Sequence, residues 1–179
     1  MISKTHLRGI WSAVLTPFDA DFSPDAAKAI SYYRDLLDRG CSGLNVLGTT
    51  GEAMSLSVEQ RVAFMERIAA SDLPKSRIMT GSGAASLADA ARLTRAAFDL
   101  GFAAALVMPP FFYRDVSDDG VARFFDALLR RVPLRERSIV LYNFPRMSGI
   151  TFAPDLVDRL HAEFPGSFAG MKDSSNDRM

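Results

Sequence analysis

The chain has 179 residues, 48% of them hydrophobic and 23% charged, which suits one domain, residues 1–179, with a sizeable core. Lys plus Arg and Asp plus Glu both number 21, so the formal charge is zero, which gives no support to nucleic acid or an anionic membrane as main partner. No apolar run is long enough to cross a bilayer, the N-terminus lacks the apolar core of a secretory signal, and the single Cys41 excludes an intrachain disulfide; together these fit a cytoplasmic location.

Short apolar runs alternate with amphipathic segments. Residues 10–15 read as a strand ending at Thr16-Pro17. Ser23-Pro24-Asp25 supplies an N-cap, a first-position proline and a first-turn acid for a helix over 26–39, and Gly40 suits its C-terminal stop. Residues 43–47 form the next strand, followed by the loop Gly48-Thr49-Thr50-Gly51-Glu52. Ser57 and Gln60 have capping-box spacing for a helix to about Ala70. A third strand over 77–80 precedes the loop Gly81-Ser82-Gly83, and Ser86 opens a helix ending near Gly101. A strand over 103–107 ends at Pro109-Pro110, and Ser117 caps a helix to about Arg131. Strand 138–143, a helix from Pro154 to about Glu163 and strand 168–172 complete the order, and Ser174-Ser175 have the character of a further cap.

Five strand–helix units followed by a sixth strand predict a parallel sheet covered on both faces. The turn Thr16-Pro17-Phe18 after the first strand is not glycine-rich, which argues against a dinucleotide-binding sheet. Polar loops follow strands two, four, five and six. In a (β/α)8 barrel those loops share one face, the one that carries active sites, so the predicted fold is α/β, of the (β/α)8 TIM-barrel type. Only about six of the eight strands are present, so a fragment or truncated product with open sheet edges is expected.

Lysine occurs only at positions 4, 28, 75 and 172. Lys172 closes an apolar run and precedes small polar residues, as at the end of a buried strand. Partial desolvation there lowers an amine's pKa and frees its lone pair for attack on a carbonyl. The plainer reading is a lysine that snorkels or pairs with Asp173. Tyr142, at the end of strand five, is either a proton-relaying phenol or a packed ring with its hydroxyl satisfied. The Gly48-Thr-Thr-Gly51 segment can hold a carboxylate through hydroxyls and amides, or be an ordinary strand-to-helix turn. Gly81-Ser-Gly83 lacks phosphate-loop spacing. His6 and His161 stand apart, so neither a histidine metal site nor a Ser-His-Asp triad is expected.

Taken together, Gly48-Thr-Thr-Gly-Glu52, Tyr142-Asn-Phe-Pro145 and Gly170-Met-Lys-Asp-Ser174 resemble the pyruvate-dependent class I aldolase and lyase family, the dihydrodipicolinate synthase / N-acetylneuraminate lyase family. The resemblance runs from about Leu7 to the end. It implies that Lys172 forms a Schiff base with pyruvate or another 2-oxo acid, and that Tyr142 moves protons with Thr49 as its hydroxyl partner. It also implies that Thr50, with Gly48 and the loop amides, binds the 2-oxo acid's carboxylate. The covalent imine replaces any cofactor or metal, and a complete version is expected to be a homo-oligomer, a dimer or tetramer. Two departures touch specificity. Met147 stands where dihydrodipicolinate synthases carry an arginine, with Arg146 one residue earlier as the candidate substrate-binding residue. The tyrosine of the strand-four loop is matched by Phe112, with Tyr113 beside it as the candidate phenol. Both point away from aspartate semialdehyde, toward other 2-oxo acids or sugar-acid aldols. The alternative is a non-catalytic barrel fragment that associates with a partner or persists as a remnant.

Overall fold

The computed structural model describes residues 7–134 and 137–176; Lys4 and His6 lie outside the described residues. Six strands form one sheet in the order β1-β2-β3-β4-β5-β6, every pair parallel. They are β1 (Trp11–Ala13), β2 (Gly43–Val46), β3 (Ile78–Gly81), β4 (Ala104–Val107), β5 (Ser138–Asn143) and β6 (Phe168–Asp173). The helices are α1 (Ala26–Asp38), α2 (Val58–Ala69), α3 (Leu87–Asp99), α4 (Asp118–Arg131), a short α5 (Pro145–Ser148) and α6 (Pro154–Glu163). Each strand pairs with its sequence neighbour, the order of a (β/α)8 barrel rather than of a doubly wound sheet. The described residues make an open part of that barrel, with β1 and β6 as its edges.

Caps set most helix starts. Ser57 and Gln60 exchange the two bonds of a capping box at α2, and Ser86 and Ser117 accept from Asp89 and Gly120 at α3 and α4. At α1 the cap is Asp25, which accepts from the Lys28 amide at 2.9 Å, rather than the predicted Ser23. The Ser23 hydroxyl is spent on Asp21, and Pro24 sits in a bridge to Phe18. Gly40 has φ +101°, as its terminating role requires.

Two apolar layers lie on opposite faces of the sheet. Between sheet and helices, Tyr33, Phe64, Ile68, Phe98, Phe125 and Leu128 belong to a continuous core. On the inner face, Met79, Ala104, Leu106, Met108, Val140 and Tyr142 form a second cluster, joined by Leu7, Trp11, Phe111 and Phe144. Strands β2 to β5 are therefore buried along their whole length, as parallel strands covered on both faces must be. The prediction of a fully buried sixth strand is corrected: only Phe168 of β6 is buried, and the rest alternates between half-buried and exposed. An edge strand has a neighbour on one side only. The predicted helix after Ser174 does not start among the described residues, where Ser175 instead turns back to Asp173.

Candidate active site

The β5–β6 register decides the centre of the site. Tyr142 stands opposite Lys172 on one rung, and Asn143 opposite Asp173 on the next. Side chains alternate across a sheet, so Tyr142 and Lys172 share the inner face. Lys172 Nζ sits 4.1 Å from the centroid of the Tyr142 ring, within cation–π range, and donates to Ser174 Oγ at 2.9 Å. The Thr49 and Tyr142 hydroxyls are 3.3 Å apart. One cluster thus joins the loop after β2 to the ends of β5 and β6. Burial pushes the Tyr142 phenol up. The hydrogen bonds with Thr49, Lys172 and Ser174, and the Lys172 charge, outweigh it and hold the phenol below its ordinary pKa.

Asn143 Nδ2 donates to Asp173 Oδ1 at 2.6 Å, and Asn143 Oδ1 accepts from the Phe152 amide at 3.1 Å. The Ser174 amide donates to the Asn143 carbonyl at 2.8 Å. These bonds tie the end of β6 to β5 and to the segment before α6, and so fix where Lys172 emerges. Hydrogen bonds to Asp173 from Ser175, then from Asn143, outweigh its modest desolvation and hold its carboxyl below the usual range, with the Lys172 charge adding to the effect. Asp173 is therefore engaged with Asn143 and Ser175, while Ser174 is the lysine's hydrogen-bond partner.

The loop that presents Thr49 needs unusual backbone. Leu47 and Glu52 both lie in the left-handed region, at φ 54° and 52°. Two glycines make room for it. A Cβ on Gly81 would fall 2.2 Å from the Leu47 carbonyl oxygen, and one on Gly48 2.7 Å from Asn45 Nδ2. Thr16 Oγ1 donates to the Gly51 carbonyl at 2.7 Å and pins the far side of the loop.

Two cavities meet the sheet's inner face. One, of about 200 Å³, opens at the C-terminal ends of the strands; Gly48, Thr49, Tyr142, Arg61, Phe111 and Met147 are among its walls. The other, of about 230 Å³, lies beside Trp11, Asn45, Met79, Val140 and Lys172. Lys172 therefore borders the second cavity, and Thr49 and Tyr142 the first. Of the other candidates, Gly48 is buried in the wall, whereas Thr50 is exposed and borders neither cavity. Tyr113 is 75% exposed, edge-on to Phe112 at 5.2 Å, and Arg146 is exposed on α5. In their place Phe111 and Met147 line the first cavity. His161 is exposed, its ring near Phe168. Among the described residues no three His, Cys, Asp or Glu side chains gather as a metal site, and no helix is long and apolar enough to cross a membrane.

Sequence reasoning missed Ser174, the Asn143–Asp173 tie and Arg61. Arg61 carried a signal: on α2 it stands three and four residues before Phe64 and Met65, on the buried face.

A partial (β/α)8 barrel, with a lysine, a tyrosine and a threonine gathered where its strands end, is the class of protein that the fold and site define. The model of the dihydrodipicolinate synthetase family matches residues 6–179, and the chain belongs to that family. An uncharacterized DapA-like lyase of Chloroflexus aurantiacus is 42% identical over 171 residues, 95% of this chain and 56% of that protein. A 4-hydroxy-tetrahydrodipicolinate synthase of Prochlorococcus marinus is 35% identical over 89% of this chain and 52% of its own length. The dihydrodipicolinate synthase structure from Agrobacterium tumefaciens superposes with a TM-score of 0.90 at 36% identity, over 94% of this chain and 59% of that one. YagE, a prophage protein of the same family from E. coli K12 solved with pyruvate, gives 0.85 at 27% identity, over 96% of this chain and 56% of its own. The chain thus spans a little over half the length of these relatives.

Proposed function

We propose that the chain carries the imine-forming centre of a class I lyase or aldolase that makes or breaks a carbon–carbon bond next to a 2-oxo acid, pyruvate being the simplest. The observation that supports this most is the Tyr142–Lys172 rung, with the Thr49 hydroxyl 3.3 Å from the phenol. In this reading the Lys172 ammonium gives up a proton and the freed amine attacks the ketone carbon to give a carbinolamine. The carbonyl oxygen leaves as water, the nitrogen loses its two protons, and a protonation taken up at the imine makes it the electron sink. Loss of a proton from the adjacent carbon then gives an enamine, which adds to an aldehyde; the reverse sequence cleaves an aldol. Tyr142 delivers and recovers the protons, with Thr49 as its relay partner. Thr50, with the amides that follow Gly48, holds the 2-oxo acid's carboxylate at the mouth.

No cofactor takes part in this scheme, since the lysine supplies the electron sink. A cytoplasmic homo-oligomer is the matching assembly for a version that completes the barrel. Mass spectrometry after incubation with pyruvate and borohydride tests the reading: reduction should fix the three-carbon adduct on the Lys172 peptide. An adduct on Lys4, Lys28 or Lys75, with Lys172 unmodified, would overturn it.

A further inference from the structure

Arg61 has no part in the proposed chemistry, yet it borders the same cavity as Thr49 and Tyr142. It is only 3% exposed and lies on the face of α2 that also buries Phe64, Met65 and Ile68. A guanidinium thus occupies a position whose helical spacing suits an apolar side chain. Its Nη2 donates to the Gly81 carbonyl at 2.9 Å and to the Gly83 carbonyl at 3.2 Å. Its Nε has no acceptor. Among the described residues no carboxylate lies within ion-pair distance of it. Burial pushes the guanidinium down to about 10, with Asp89 opposing from longer range, so it remains a cation at neutral pH.

A buried cation is ordinarily paired, because desolvation without a counter-ion is costly. The two carbonyls account for a clamp between α2 and the segment after β3. They supply dipoles and no compensating charge. The cavity wall beside Arg61 carries Leu106, Met108, Phe111 and Met147, and no acid among the described residues. Among the described residues Arg61 is thus the charged side chain in the wall of this cavity, Lys172 bordering the other.

We propose that Arg61 receives the carboxylate of the second substrate, the aldehyde acid that joins, or is released from, the 2-oxo acid held on Lys172. The proposal rests on the imine reading for its chemistry and on the cavity for its geometry. Arg61 takes from the α2 side the role that Met147, on α5, lacks the charge to perform. The absence of an acid in the wall sets the class further. An ammonium beside the carboxylate would find no counter-ion among the described residues of the wall, so the preferred acceptors are aldehyde acids without an amino group.

The test separates the anion site from the imine. Butyrate and butyramide match in shape and differ in charge. In the full chain carrying Lys172→Ala, calorimetry should show saturable butyrate binding, at least ~10-fold tighter than butyramide. Adding Arg61→Gln should remove the difference, and Arg61→Lys should restore part of it. In ¹⁵N spectra the Arg61 Nε–H resonance should move with butyrate and stay with butyramide; this arm needs no substitution at Arg61 and decides the matter where Arg61→Gln fails to fold. Equal binding of the two ligands, an Arg61→Gln variant that keeps the preference, or an unmoved Nε–H would overturn the proposal. Pyruvate trapping on the unsubstituted chain reads the imine separately. Its failure beside an intact Arg61-dependent preference would leave the anion site standing and discard the imine.

Discussion

Asn143 holds Asp173 through a 2.6 Å hydrogen bond one rung beyond Tyr142 and Lys172, on the opposite face of the same strand pair. The lysine's position thus depends on an amide that never faces the inner cavities. β6 is an edge strand with one hydrogen-bonded neighbour, so its register has few other determinants.

Replacing Asn143 by alanine removes the bond to Asp173 and leaves the buried Phe152 amide without its acceptor. An orphaned buried donor costs about 1–3 kcal/mol. Urea unfolding of Asn143→Ala should register a loss of that size. Hydrogen exchange should speed up at Phe152 and along β6 while β2 to β4 stay protected. Unchanged exchange in β6 would mean that the strand holds its place by packing alone.

The phenols should titrate apart. The pKa of Tyr142 is depressed by hydrogen bonds and the Lys172 charge despite burial, and that of Tyr33 is raised by burial. A depressed acid contributes stability above its unfolded pKa, and that contribution is lost as pH falls through the folded value. Tyr142 should therefore ionise before the ordinary phenol range is reached, and the folded state should gain from it as pH climbs toward that range. Absorbance titration near 295 nm should show an early step that disappears in Tyr142→Phe. A single step at the ordinary value would contradict the hydrogen-bonded cluster.

Much of the frame was legible because it is local. Caps at Ser57, Ser86 and Ser117, the glycine at position 40, and strands with apolar residues on both faces are properties of a few adjacent residues. The errors lie where neighbouring groups compete for one side chain or a short turn re-aims it. Ser23 lost its capping role to Asp25 because Asp21 holds its hydroxyl. Pro145 begins a turn of helix that carries Met147 to the cavity and Arg146 outward. Motif order brought Lys172, Tyr142 and Thr49 together on the page, and the folded chain gathers them. Thr50, Tyr113 and Arg146 come from loops and the turn of α5, where no periodicity sets side-chain direction, and the structure leaves all three exposed.

A version that completes the barrel should lose turnover by about 10²–10⁴-fold in Tyr142→Phe, the range of an acid–base group. The ring still packs and still faces the Lys172 ammonium, so folding and cation–π contact are preserved while the hydroxyl is lost. Steady-state kinetics on a trapped or turned-over 2-oxo acid reads the effect. Turnover within a factor of a few of the parent would assign Tyr142 to packing.

The 179-residue chain by itself should associate with other copies. Among the described residues neither edge of the sheet, β1 or β6, has a second partner strand, and unpaired parallel edges recruit other strands. The β6 edge also presents Met171, 42% exposed. Ile10 and Leu15, beside β1, are 74% and 56% exposed. Light scattering should therefore report oligomers or aggregates that grow with concentration. Ile10→Lys places a charge beside β1, at the opposite edge of the sheet from the Tyr142–Lys172 rung, and should shift the distribution toward smaller species. A concentration-independent monomer with a sharp two-state melt would show that the open edges are protected within the chain itself.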